Sequence, residues 1–457
     1  MNKILIITPH YPPSNLAAVH RSRLFAQHLP SFGWEPIILT VHENFYEEKL
    51  DWNLFNLIPD NQRIVKSPAF NITKPRLIGD IGLRGFFQLR RRALELVKSE
   101  KIDFVYIPVP SFYMALIGPY LYKKTGVKYG IDYIDPWVHH FPGSEKLFSR
   151  HWFSTQLAKF LEPIAVKHAS LITGVSERYY TPVLERNPHL KKQAITAAMP
   201  YGGEERDYAV KQRIQPGTRD VGQGTRKQLS IQPGTRDEGQ GTREQPGEQP
   251  RNVVLLPSKN DNVFRFVYAG AMLPKAYKPL EEIFKALHSL QPLKLIQPFQ
   301  LHFIGTLGTI KPIAEKYGLW QSLVFEHPAR IAYLDVLKNL DAADGVFILG
   351  STEPHYTPSK VYQGVLSQKP ILAVLHQEST AVKVLNESNA GQIVLMDGEK
   401  DLHTLGERFT KQLDNYFSWA KSFDPELVNK DVFEQYSAKA VTNTLVNALN
   451  NVVLSSS

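Results

Sequence analysis

The stretch TPSKVYQGVLSQKPILAVL, residues 357–375, decides how the rest of the chain is read. It follows an apolar run, Gly345–Leu349, and a loop of small and polar residues. The order is strand, loop, helix, then a second strand, Pro370–Leu375. Ser359 and Lys360 stand where the helix begins, and His355, Tyr356 and Thr357 lie in the loop before it. A helix start presents unpaired backbone N–H groups and the positive end of the macrodipole. Phosphates and other anions bind there. Lys360 adds a mobile positive charge within the first turn. The segment is therefore expected to hold an anion, a phosphate or diphosphate, at the carboxyl end of a parallel sheet.

The same grammar runs outward in both directions. Upstream, Ile4–Thr8, Glu35–Val41, Asp103–Pro108, Lys128–Tyr133 and Leu171–Val175 read as strands, with helices over His20–Leu29 and Tyr113–Lys124. In the second half, Phe264–Ala269, Gln300–Ile304, Leu323–Glu326, Gly345–Leu349, Ile371–Val374 and Gln392–Leu395 are strands. Helices over Pro279–Leu287, Ile310–Tyr317, Leu334–Ala342 and Lys360–Leu366 separate them. Strands alternating with helices argue for parallel sheets. Two successive α/β, Rossmann-like, doubly wound units follow, spanning 1–204 and 253–430. Residues 431–457 are expected to close the molecule as helix, packed back on the first unit.

Between the units, IQPGTRDVGQGTR (214–226) recurs as IQPGTRDEGQGTR (231–243). Residues 205–252 are rich in Gly, Pro, Gln, Thr and Arg and cannot bury enough apolar surface to offset chain entropy. A disordered insert is expected. Its nine basic residues are nearly balanced by seven acidic ones, and it offers no stacking platform beyond Tyr208, so nucleic acid is not an expected partner.

Bulk composition sets further bounds. With 43% hydrophobic and 21% charged residues over 457 positions, the chain can build two substantial cores. It has no cysteine, which excludes disulfides and thiolate chemistry. No apolar run approaches the ~18 residues that span a bilayer, and the opening apolar run is too short for a signal segment. A cytoplasmic place is expected. Net charge is +9, and all of it lies in residues 1–200, where 25 Lys and Arg face 16 Asp and Glu. That half is expected to meet an anionic partner.

Other loops reinforce the anion reading. Phe264–Ala269 ends in Gly270, with Lys275 and Lys278 just beyond, and His302–Ile304 ends in Gly305. Loops at strand carboxyl ends are where open α/β sheets bind ligands. With these residues in hand, nearly the whole chain outside the insert resembles retaining glycosyltransferases of family 4 type, which have the GT-B fold. KILIITPHYPPSNLAAVHRSRLFAQHLPSFGWEPIILTV is similar to their first strand, acceptor loop and helix. DFVYIPVPSFYMALIGPYLYKKTGVKYGIDYIDPW (103–137), ASLITGVSERY (169–179), FRFVYAGAML, LHFIGTL, LKNLDAADGVFIL and PSKVYQGVLSQKPILAV follow in family order.

The resemblance implies sugar transfer from a nucleotide donor with retention, in bacterial cell-envelope polysaccharide or lipopolysaccharide synthesis. It also implies departures. The family's Glu-x7-Glu pair falls on His355 and Gln363. An Arg expected after Gly270 is Ala271, so diphosphate neutralisation would fall to Lys360 with Lys275 or Lys278. The His often ending the 103–108 strand is missing, the loop reading Pro108, Val109, Pro110, Ser111. No Asp-x-Asp occurs, so neither metal nor cofactor is expected. The resemblance makes Lys360 and Asp135 the catalytic candidates. Gly270, Lys275, Lys278, Gly305, His355, Tyr356, Thr357, Ser359, Lys360 and Gln363 are candidates for the donor. Tyr11, Arg21, Ser111 and Trp137 are candidates for a glycan or lipid-linked acceptor. A sugar-nucleotide 2-epimerase of the same fold and a catalytically silent binding protein are the alternatives. Finally, IGLRGFFQLRRRALELVKSEK (81–101) reads as a basic amphipathic helix suited to an anionic membrane surface.

Overall fold

Seven short segments of the first half pair as one all-parallel sheet: β1 (Asn2–Ile7), β2 (Trp34–Val41), β3 (Arg63–Ser67), β4 (Phe104–Val109), β5 (Lys128–Tyr133), β6 (Leu171–Gly174) and β7 (Ile195–Ala198). The spatial order is β3-β2-β1-β4-β5-β6-β7. Six segments of the second half form another parallel sheet: β8 (Phe264–Ala269), β9 (Phe299–Ile304), β10 (Val324–His327), β11 (Gly345–Leu349), β12 (Ile371–His376) and β13 (Gly391–Met396). Their order is β10-β9-β8-β11-β12-β13. The computed structural model describes residues 1–73, 79–109, 111–138, 146–213, 254–259, 262–290 and 297–454.

Each sheet reverses its strand order once, between β1 and β4 and between β8 and β11. Those reversals open the crevices where α/β sheets take ligands. The central strands are buried on both faces, as parallel sheets covered by helices require. Helices α1 (Ala17–His28), α2 (Ile81–Glu100), α3 (Ile117–Thr125) and α4 (Arg150–Val166) cover the first sheet. The arrangement is two Rossmann-like lobes of the GT-B fold.

The last helix, Ala438–Leu454, returns to the first lobe and packs on α1 and β7. Val441, Leu445 and Leu449 join a core with Ile4, Ile6 and Phe104. Trp34 donates its indole N–H to Asn450 at 3.1 Å, and Lys128 donates to the Val452 carbonyl at 2.7 Å.

Three expectations change. Residues 205–213, assigned above to the disordered insert, form the helix Glu205–Arg213, because Asp207, Tyr208 and Lys211 find partners there. The rest of that insert, 214–252, lies outside the described residues. The apolar side of α2 is not offered to a membrane: Ile81, Leu89, Ala93, Leu96 and Val97 are buried in the first core, and the Arg84 guanidinium donates to the Phe70 and Phe45 carbonyls. Arg21 does not face the cleft. It is fully buried and donates to both Asp132 oxygens, at 2.5 and 2.9 Å, and to the Met199 and Pro200 carbonyls. Burial works against its charge, but Asp132 outweighs it and pushes the guanidinium pKa up.

Truncating Asp132 would strand that guanidinium in the core. Asp132→Ala is expected to cost about 3–5 kcal/mol in urea unfolding. A loss of under about 1 kcal/mol would mean that the pair does not stabilise this lobe.

Candidate active site between the lobes

Contacts between the lobes form around the strand carboxyl ends. Asn15, after β1, donates its amide to the Ile331 carbonyl at 3.2 Å. The helix Tyr333–Ala342 has no capping side chain of its own. Asp51 of the first lobe accepts from the Tyr333 backbone N–H at 2.6 Å and caps it across the gap. The His20 ring packs on the Tyr333 ring at 4.2 Å. The Tyr333 hydroxyl donates to Asp207 at 2.9 Å, and Arg23 donates to Asp207 at 2.9 and 2.5 Å. Tyr179 meets His355 edge-on at 5.3 Å.

Lys360 lies at the reversal point of the second sheet. Its amine donates to the Tyr268 hydroxyl at 3.1 Å and the Ala271 carbonyl at 3.2 Å, and sits 4.6 Å from the Tyr268 ring centre. Among the described residues it has no carboxylate within ion-pair distance. Burial lowers its pKa, with the Tyr356 phenol opposing. Gly270, at φ +105°, makes this placement feasible, since a Cβ there would lie 3.1 Å from Lys360 Cε. Gly305, at φ +78°, stands beside it, with Gly270 Cα 3.7 Å from where its own Cβ would lie.

The other cationic candidates are occupied. Lys275 pairs with Glu353 at 3.0 Å and Lys278 with Glu399 at 2.8 Å. Lys275 stays beside the end of β11, where its backbone carbonyl accepts from Thr352 N–H at 3.2 Å. Ser359 precedes the helix Lys360–Leu366 but makes no side-chain cap. Thr357 is buried, its hydroxyl 2.6 Å from that of Thr380. Burial pushes the Tyr356 phenol up to about 12, and that phenol feels both Lys360 and Asp135. The Gln363 side-chain amide donates to the Tyr333 hydroxyl at 3.4 Å, and its backbone carbonyl accepts from the Tyr208 hydroxyl at 2.7 Å.

On the first lobe, a cavity of about 220 Å³ opens between the end of β1 and the end of β5. Thr8, His10, Asp135, Tyr201 and the first turn of α1 line it. That turn has no acidic residue and no side-chain cap; Val19 N–H bonds the Leu16 carbonyl, which leaves the Ala17 and Ala18 amides for an oxygen-rich ligand. The volume lies just below the ~300 Å³ at the small end of ligand sites, enough for part of a substrate rather than all of it. His10 pairs with Glu48 at 3.0 Å. Glu48 is held near 2: burial alone would raise it, but His10 and Ser14 outweigh that.

Three acceptor candidates besides Arg21 are built into the core. Tyr11 is fully buried among Ile4, Ile6 and Phe25. Ser111 donates to Asp80 at 2.7 Å, where Asp80 also caps α2 through Leu83 N–H. Trp137 is buried and stacked on Phe112 at 5.6 Å. None of these four lines the cavity; the catalytic candidate Asp135 does. Sequence reasoning missed Tyr268, Tyr179, Tyr201 and His10. Tyr268 alone had a local signal, as the one tyrosine two residues before Gly270.

The geometry defines a class: two Rossmann-like lobes of the GT-B fold, with Lys360 at one sheet reversal and a small cavity at the other. No family model and no curated protein matches the chain. Solved structures do match over their whole length. A glycosyltransferase from Rickettsia africae shares 15% identity at a TM-score of 0.59, covering 99% of this chain and 98% of its own. Anabaena HepE, in complex with UDP and glucose, shares 13% identity at a TM-score of 0.60, covering 99% and 100%. A Listeria monocytogenes protein described as a putative UDP-N-acetylglucosamine 2-epimerase shares 11% at a TM-score of 0.50, covering 98% and 95%. At these identities the likeness is one of fold.

Two outcomes test the geometry. Gly270→Ala would force a side chain into a disfavoured φ and against Lys360, at an expected cost of about 1–3 kcal/mol in denaturant unfolding. A neutral substitution would show that Gly270 does not hold that backbone conformation. The second concerns acid. Burial, helped by Arg23, holds the His20 pKa near 3, against an ordinary value of 6.5. Between those values the unfolded chain binds the extra proton, so stability is present above pH 6.5 and falls as the pH drops. From pH 6.5 to 4.5 the expected loss is roughly 2–3 kcal/mol. His20→Phe should flatten that part of the profile, and an unchanged slope would discount His20.

Proposed function

We propose that this protein is a glycosyltransferase that moves a hexosyl group from a nucleoside diphosphate sugar to a glycan or lipid-linked acceptor. The observation that carries the reading is the Lys360 amine, half-buried at the β8/β11 reversal without a carboxylate partner among the described residues. A diphosphate would supply the missing negative charge. Charge-assisted hydrogen bonds of this kind contribute about 1.5–3 kcal/mol each. They count most where charge develops as the leaving group departs. The close turns at Gly270 and Gly305 let backbone approach the phosphates.

In the transfer, the bond from the sugar's anomeric carbon to the diphosphate oxygen breaks and a bond to the acceptor oxygen forms. The acceptor proton leaves with the diphosphate. Asp135, on the cavity rim, orients the acceptor hydroxyl. Tyr356, kept protonated by burial, interacts with both charged groups. Retention of configuration and a role in cell-envelope polysaccharide or lipopolysaccharide synthesis at the inner membrane face come from the resemblance described above. The uridine nucleotide in the Anabaena structure makes UDP the first donor base to try.

A thermal-shift screen with UDP, GDP, ADP and their sugars tests the reading. Ligand at 100 times its Kd should add about 2.7 kcal/mol of stability. Lys360→Ala should abolish the shift; equal shifts in parent and variant would remove Lys360 from the site. Donor turnover then separates the alternatives. Consumption that requires an acceptor supports transfer, consumption without one indicates an epimerase, and binding without turnover indicates a silent protein.

A further inference from the structure

We propose that the outer face of α4 docks on an anionic phospholipid bilayer, an inference that does not rest on the transfer reaction. The inner side of α4 buries Ala158, Glu162, Ala165 and Val166 against the first lobe. The opposite side carries Phe153, Leu157, Phe160 and Ile164, which are 54, 43, 68 and 45% exposed. Their spacing of four, three and four residues places them in one stripe of the helix. Leu147 and Phe148, just before the helix, are 70 and 74% exposed. Phe148 packs on Trp152 and Phe153, with ring centres 5.5 and 6.3 Å away, so the patch is continuous. Soluble monomers rarely expose contiguous apolar area beyond a few hundred Å² without a partner.

Charge identifies the occupant. Lys146, Lys159 and Lys167 are exposed along this segment. The one acidic residue of the helix, Glu162, is turned inward, where it accepts from Arg186 at 2.7 Å. Tyr122 stacks on His168 at 4.8 Å, which brings exposed Lys123 and Lys124 of α3 to the far end of the stripe. A large apolar stripe flanked by lysines is the chemistry of a helix lying in a headgroup layer. A second copy of the same face would bring these cations together, whereas anionic headgroups neutralise them. The face also adjoins the site: α4 packs on the Phe112–Leu116 turn, and Phe112 stacks on Trp137, two residues from Asp135.

Sedimentation with vesicles of phosphatidylcholine, alone or mixed with phosphatidylglycerol, tests the proposal on the full chain. The protein should pellet with the anionic vesicles at low salt and less so at high salt. Phe153→Gln combined with Phe160→Gln should lower the partition coefficient by roughly tenfold or more while leaving the melting temperature unchanged, since both rings are exposed. Lys146→Glu combined with Lys159→Glu should remove the salt-sensitive part. Failure to pellet at low salt, or equal pelleting of the Phe variant, would overturn the proposal. So would a lipid-free dimer, seen by analytical ultracentrifugation, that the Phe variant dissolves, because the face would then belong to a second copy.

Discussion

The buried cluster of Arg23, Asp207 and Tyr333 holds the two lobes in their relation. Arg23 belongs to α1 of the first lobe, and Asp207 lies on the helix that follows the last strand of that lobe. Asp207 also accepts from Tyr333 of the second lobe. Both charges are out of water, so neither tolerates losing its partner. The pair therefore acts less as a source of stability than as a constraint on geometry. With Tyr333 fixed by it, Asp51 can cap the Tyr333 helix and His20 can stack on the Tyr333 ring. The strand ends of both sheets are then brought together, and Lys360 and Asp135 come into one electrostatic neighbourhood.

Within that neighbourhood, pairing separates structural cations from an available one. Arg21, Lys275 and Lys278 each have a carboxylate. Lys360 has a phenol, a carbonyl and an aromatic face. Such neutral partners offset only part of the cost of removing an ammonium from water. A protein that needed only packing at this position would do better with Met or Leu. Retaining the amine there, with a glycine making room for it, is intelligible if an anion completes the site.

The sheets were legible because their central strands are buried on both faces and read as apolar runs. β3 and β7 were not. RIVKS carries two charges, and ITAA is short and half-exposed. The helix Glu205–Arg213 was lost because its composition was averaged with the repeats that follow. α4 hid its character because apolar residues on two opposite faces blur a helical period. Site residues were the least legible. Arg21 stood as an acceptor candidate, yet its fate depends on Asp132, 111 residues away. Ser111 likewise depends on Asp80. The residues that hold Lys360 and shape the cavity come from different strand ends, and nothing local to any of them announces the meeting.

The same long-range coupling gives a physical account of Gln363, where the resemblance led one to expect a glutamate. The Gln363 amide donates to the Tyr333 hydroxyl, which in turn donates to Asp207. A carboxylate at 363 could not donate. It would compete with Asp207 for the one phenolic proton and place a second negative charge in a buried cluster that holds a single guanidinium. Like charges so close would raise one carboxyl's pKa or push the lobes apart. Gln363 and the Arg23–Asp207 pair are thus one solution. A neutral residue at 363 keeps its donor bond to Tyr333 and leaves the Tyr333 proton to Asp207.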